Sequence, residues 1–134
     1  VEIVPSAVEC AYDNARRNGI ENVYYSCGDA ADAGGILARA EAGLGESLAA
    51  DVVVLDPPRR GCDERLIRYL AGRGVPRVVY VSCDCVTLAR DCAVFASLGY
   101  RISDVTPVDM FPRTGHVETV CLLSKLDTEQ HNLD

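Results

Sequence analysis

The sequence predicts an α/β fold with a mainly parallel sheet, and three patterns predict it. Short apolar runs alternate with amphipathic stretches along most of the chain, the signature of strand–helix–strand units. Two of those runs, residues 52–55 (Val-Val-Val-Leu after Asp51) and 77–81 (Arg-Val-Val-Tyr-Val), are continuous and β-branched, as strands covered on both faces are. The last two runs, residues 100–105 and 116–124, have no helical stretch between them, which sets an antiparallel strand at one edge.

Taken in order, residues 1–4 read as a strand that is apolar apart from Glu2. Pro5-Ser6 then opens an amphipathic helix through about Asn18, with Ala7, Val8, Ala11 and Ala15 on one stripe and Gly19 at its end. Residues 23–25 form a short strand closed by Cys27-Gly28-Asp29. Residues 30–48 are Ala-rich and mostly helical, interrupted by Gly34-Gly35 and Gly43. After the 52–55 strand, residues 63–70 make a helix with Gly72 and Gly74 beyond it. The 77–81 strand is followed by a helix over 86–98, stopped by Gly99. This order is β-α-β-α-β-α-β-α-β-β, without repeat or low-complexity linker. It predicts one domain over residues 1–125 and a polar, frayed tail over 126–134.

At 134 residues, 49% hydrophobic and 25% charged, the chain can bury a sizeable core. No apolar run approaches the ~20 residues of a membrane span, and the first residues do not form a signal peptide. Seven cysteines are scattered through predicted helices and strands, as free thiols are in a reducing compartment, so the expected location is the cytoplasm. Cys83-x-Cys85 lacks zinc-like spacing and a partner pair, so no metal site is expected. A formal net charge of −7 argues against a dedicated nucleic-acid-binding surface, though not against an enzyme gripped to RNA by another module. The chain lacks an initiator Met and opens inside an expected strand, which reads as a fragment or excised domain.

Cys83 stands just past the 77–81 strand and just before a helix, where open α/β sheets bind ligands. The partial positive charge of a helix N-terminus favours thiolate there. Asp56-Pro57-Pro58-Arg59 follows the neighbouring strand. Its prolines remove backbone donors and stiffen the strand end, holding a carboxylate at the ligand edge. From spacing alone, Cys83 reads equally as a small buried thiol and Asp56 as an Asp-Pro turn. Arg59 and Arg60 read either as phosphate contacts, as neighbours of Cys83, or as a solvated loop pair.

The element order resembles the Rossmann-like fold of S-adenosylmethionine-dependent methyltransferases, here lacking the first strand and its Gly-rich loop. Several motifs, in order, sharpen the likeness: Asp56-Pro57-Pro58-Arg59-Arg60-Gly61-Cys62-Asp63, Ser82-Cys83 with Thr87-Leu88-Ala89-Arg90-Asp91, Asp109-Met110-Phe111-Pro112 and Gly115-His116-Val117-Glu118-Thr119. Together they resemble the RNA uracil-5 methyltransferases, which make 5-methyluridine, over residues 2–125. The Met-Phe-Pro-x-Thr-Gly-His-x-Glu form is more similar to the 23S ribosomal-RNA branch than to the tRNA branch.

The resemblance implies roles for several residues. Cys83 is the nucleophile that adds to uracil carbon 6, and Glu118 the base that removes the carbon-5 proton. Glu2 accepts the cofactor's ribose hydroxyls, Asp29 faces the adenine amino group, and Asp56 closes the cofactor and base pocket. Arg59 is a candidate substrate contact, and His116 is read as structural. One departure stands out: the family has Asn-Pro after the nucleophile, whereas this chain has Asp84-Cys85. A carboxylate at 84 is expected to make Cys83 less acidic than in relatives, and Cys85 adds a competing thiol.

The expected cofactor is S-adenosylmethionine, bound incompletely without the Gly-rich loop. The expected partner is RNA, with self-association or strand exchange wherever a central strand is missing. Two other readings compete. One is a non-catalytic, self-associating fragment. The other is an amino-group methyltransferase using the Asp-Pro-Pro segment, against which the Cys83 and Glu118 pair argues.

Overall fold

The computed structural model describes residues 1–126. Where the sequence predicts one domain, the described chain falls into two compact units, residues 1–48 and Ala49 onward. The tail expected over 126–134 lies outside the described residues except for Leu126, whose amide donates to the Gly99 carbonyl at 2.8 Å.

The first unit is helical. Helix α1 (Pro5–Arg17) starts on a proline, which needs no amide partner in the first turn, and buries Val8 and Ala15. A 3-10 turn (Ala30–Asp32) leads into α2 (Ala33–Leu44), which buries Ala33 and Ile36 and ends at Gly45 in the left-handed conformation. The strands expected over 1–4 and 23–25 do not form. What remains is a single parallel bridge, Glu2 with Cys27, held by Glu2 N to Ser26 O (3.1 Å) and Gly28 N to Glu2 O (3.0 Å). A two-stranded parallel pair is marginal unless its faces are covered. Here Val1 is 65% exposed and Tyr24 75% exposed. The segment is fixed to α1 instead by Tyr12, whose hydroxyl donates to Tyr25 O (2.9 Å) and whose ring meets that of Tyr25 edge-on at 4.8 Å.

The second unit runs β1 (Val52–Leu55), α3 (Glu64–Gly72), β2 (Arg77–Ser82), α4 (Cys85–Ser97), β3 (Tyr100–Val108) and β4 (Glu118–Lys125). The four strands form one sheet in the order β1-β2-β4-β3. β1 and β2 are parallel, and β4 runs antiparallel to both β2 and β3. The expected antiparallel strand is therefore present, but it lies one position in and β3 is outermost. Burial explains the difference. β4 alternates buried and half-buried positions, whereas β3 is exposed over 101–107, so the better apolar strand takes the inner slot.

Strand alternation divides the sheet into two faces. Val78, Tyr80 and Ser82 of β2 share one face with Leu123, Cys121 and Thr119 of β4, and all six are buried. Leu66, Ile67, Leu70 and Ala71 of α3 and Leu88, Asp91, Cys92 and Phe95 of α4 are the buried helix residues of this unit. Tyr80 and Cys121 meet α4 residues Asp91 and Cys92 directly. Val79, Val81, Val120 and Leu122 lie on the opposite, half-buried face.

Candidate active site

The site is built where β1 and β2 end and β4 begins. Ser82 is the last residue of β2, and its hydroxyl donates to Asp84 O (2.9 Å) while accepting the Asp84 amide (3.1 Å). The chain therefore turns tightly through half-buried Cys83 before α4 starts. Asp84 is the N-cap of α4, accepting the amides of Val86 (3.0 Å) and Thr87 (2.9 Å). The Thr87 amide bond, foremost, holds the Asp84 carboxyl below the usual aspartate range. The expected helix-end donors are thus turned to Asp84, a neighbour of Cys83, where Asn would cap equally well.

The β2–β4 ladder ends at Ser82 opposite Thr119; Cys83 is the residue after the one and Glu118 the residue before the other. Positions 79 and 81 of β2 and 122, 120 and 118 of β4 share a face by alternation. Glu118 is half-buried and is paired with Val108 on its other side. A cavity of about 320 Å³ opens on this face, walled by Asp56, Val81, Val108, Glu118 and Val120 with the exposed Met110 and Phe111. Asp56 and Glu118 thus line one cavity, whereas Cys83, two residues after Val81, is not among its lining residues.

The loop after β1 is fastened to α4. Thr87 Oγ1 donates to Arg59 O (3.0 Å), and Arg90 Nη2 donates to Arg60 O (2.8 Å). Asp91, 1% exposed, accepts the Cys62 amide (2.7 Å) and the Tyr80 hydroxyl (2.6 Å) on one oxygen. It accepts Arg90 Nε (2.8 Å) and Nη2 (2.7 Å) on the other. Burial, and then the Asp91 carboxylate, push the Tyr80 phenol well above its ordinary range. The Arg59 guanidinium lies 3.5 Å from His116 Nε2, so this arginine joins the β1 loop to the segment entering β4.

Sequence reasoning gave Asp91, Arg90 and Tyr80 no role. A signal was available: Asp91 lies among Leu88, Cys92 and Phe95 on the apolar stripe of α4, where a carboxylate needs partners.

The remaining candidates belong to the first unit. Glu2 Oε1 accepts the Val4 amide (2.8 Å) and Asp29 Oδ1 the Ala31 amide (2.9 Å); both side chains are exposed. The Glu2–Cys27 bridge brings the two near one another in the fold. Each carboxylate retains acceptor capacity, which suits ribose hydroxyls and an adenine amino group. All seven cysteines are free thiols; Cys92 and Cys121 touch in the core with sulfurs 3.9 Å apart.

The family model described as tRNA (Uracil-5-)-methyltransferase matches residues 1–126. The chain belongs to this family. Among curated relatives, an uncharacterized RNA methyltransferase of Clostridium acetobutylicum is 46% identical over 127 residues, covering 95% of this chain and 26% of its own. One of Listeria monocytogenes is 48% identical, with the same coverage of 95% and 26%. The chain thus spans about a quarter of the length of these relatives. Among solved structures, the Pyrococcus abyssi tRNA (uracil-54, C5)-methyltransferase in complex with S-adenosyl-L-homocysteine superposes with a TM-score of 0.71 at 32% identity. That match covers 90% of this chain and 27% of the other. The α/β methyltransferase fold read from the sequence is therefore the fold of the chain.

Proposed function

We propose that the whole protein methylates carbon 5 of a uridine in RNA, with Cys83 as nucleophile and Glu118 as base. The observation that supports this reading is the cavity that Asp56 and Glu118 line together, at the end of the β2–β4 ladder whose last pair, Ser82 with Thr119, adjoins Cys83 and Glu118 in sequence. Carbon 5 of uracil is weakly nucleophilic. Addition of the Cys83 thiolate to carbon 6 pushes the ring electrons toward carbon 5 and the carbonyl oxygen, making carbon 5 reactive. S-adenosylmethionine, when bound, supplies the electrophilic methyl group. Glu118 then takes the proton from carbon 5; that electron pair re-forms the ring double bond as the carbon–sulfur bond breaks and the thiolate is returned. Glu2 and Asp29 hold the cofactor's ribose and adenine, Asp56 the base pocket, and Arg59 the RNA.

The proposed substrate is 23S ribosomal RNA, supported by the segment Met110-Phe111-Pro112 through Glu118. A tRNA uridine is the second reading, favoured by the Pyrococcus neighbour, a tRNA uracil-54 enzyme. The scattered free thiols support action in the cytoplasm.

The test is adduct trapping. The whole protein with cofactor and 5-fluorouridine-containing RNA forms a covalent complex that Cys83→Ala does not. With ordinary RNA, Glu118→Gln accumulates the methylated adduct and lowers turnover by roughly 10²–10⁴. Methylation retained in Cys83→Ala overturns the mechanism. Parallel assays on 23S ribosomal RNA and tRNA transcripts decide the substrate.

A further inference from the structure

Besides the residues lining the cavity, one group of side chains makes an unusual set of contacts. Three residues on the first two turns of α4, all facing one way, bind the backbone of the loop that follows β1. Thr87 takes the Arg59 carbonyl, Arg90 the Arg60 carbonyl and Asp91 the Cys62 amide. Gly61, between them, has φ 78°, and a Cβ there would lie 2.5 Å from both the Arg90 guanidinium and the Asp91 carboxylate. The loop is thus pressed against these side chains with no room for another. Asp91 is itself fixed from β2 by Tyr80 and from α4 by Arg90.

We infer that Thr87, Arg90 and Asp91 are positioning residues that set Asp56 and Arg59 against the Cys83 turn. Thr87 makes the link directly, since its hydroxyl lies 3.0 Å from Arg59 O and 3.3 Å from the Asp84 carboxylate beside Cys83. Upstream of the held peptides, Pro57 and Pro58 fix their own φ angles, and the Gly61 amide closes a turn onto Pro58 O at 2.8 Å. Little backbone freedom separates the clamp from Asp56. Downstream, Arg59 carries the setting to His116, two residues before Glu118. The shape of the network explains the residue types: a guanidinium fork can hold a carboxylate and a carbonyl together, which an ammonium cannot do with the same geometry.

The kinetic part of the test rests on the proposed reaction, so it is paired with a readout that does not. In the whole protein, Thr87→Val removes one hydroxyl and Arg90→Lys removes the fork. The expected result for both is kcat for uridine methylation, and the rate of 5-fluorouridine trapping, lowered about tenfold. KM for RNA stays close to that of the parent protein in both. Tm stays close to the parent's in Thr87→Val, the discriminating variant, and falls in Arg90→Lys, which takes a donor from buried Asp91. Thr87→Ser, which keeps the hydroxyl, restores kcat. A merely structural role would instead lower Tm in step with activity and would not be rescued selectively in kcat.

The second readout is amide hydrogen exchange at Cys62, which speeds up in Arg90→Lys as Asp91 loses its anchor. Unchanged kcat in Thr87→Val, or activity lost there only together with Tm, overturns the inference. If the unsubstituted protein forms no adduct at all, the reaction assignment fails instead. The clamp is then judged by Cys62 exchange alone, and unchanged exchange in Arg90→Lys overturns it.

Discussion

At the scale of single residues, the second unit is organised around a carboxylate that never reaches solvent. Asp91 collects donors from a tyrosine, an arginine and a backbone amide, and each removes part of the cost of its burial. Tyr80→Phe leaves its oxygen one donor short in an apolar setting. The expected loss of stability is about 1–2 kcal/mol, read from denaturant unfolding. Gly61→Ala should be more damaging, because the new methyl meets two polar side chains at 2.5 Å in a left-handed backbone. About 2–4 kcal/mol is expected from the same measurement. A full-strength Gly61→Ala protein would mean that the loop can shift without cost.

These contacts show why the site was only partly legible in the sequence. Cys83 and Asp56 could be named as candidates because their motifs stand at strand ends, and Glu118 through the resemblance; the fold does bring Asp56 and Glu118 to one cavity. The clamp could not be named, because its partners on the loop are backbone carbonyls and an amide. Such groups carry no residue signature.

At the scale of elements, legibility followed burial. The run at 77–81 is a strand with a neighbour on each side and alternate residues buried, while the run at 52–55, expected to be covered on both faces, pairs with it although Val52 and Val54 stay exposed. The runs at 1–4 and 23–25 have similar composition but reduce to one bridge, because a pair without further neighbours buries too little. Propensity was alike in both cases; the difference is tertiary.

Helix α4 offers a sharper case, since Asp84 caps it and precedes it by one residue. Its carboxyl is lowered by the Thr87 and Val86 amides, so the ionised form is the stabilising one. That contribution is complete above the ordinary value of 3.8 and disappears as pH falls through the lower folded value. Asp84→Ala should lower Tm at neutral pH, with the gap from the parent closing in acid; Asp84→Asn should lower it less. A gap that persists unchanged in acid would refute the capping role.

At the scale of the whole molecule, charge and core chemistry set the conditions under which the chain works. With a formal net charge of −7, the isolated 134-residue chain is expected to bind RNA weakly, which filter binding at low salt can check. β1 pairs only with β2 among the described residues, and its Val52 and Val54 are exposed. Self-association of the isolated chain through that edge is expected in light scattering, and a monomer at every concentration would exclude it.

In the core, burial and then Cys121 raise the Cys92 thiol from 9.0 to about 12. The unfolded chain therefore ionises first in base. Stability from neutral Cys92 is complete below pH 9 and is lost as pH climbs from 9 toward 12. Cys92→Ala should flatten the fall of Tm across that window, and an unaltered slope would show that this thiol does not govern it.

The inner location of β4 has a consequence for biosynthesis. The strand that pairs with β2 on one side and β3 on the other is the last of these four to be made. While the ribosome is still translating residues before 118, β2 waits without its second neighbour, and the Glu118 carboxylate of the cavity does not yet exist. A nascent chain stalled there would carry a competent-looking thiol turn on a half-built sheet, vulnerable to chaperone capture or proteolysis until the final eight residues of β4 emerge and dock.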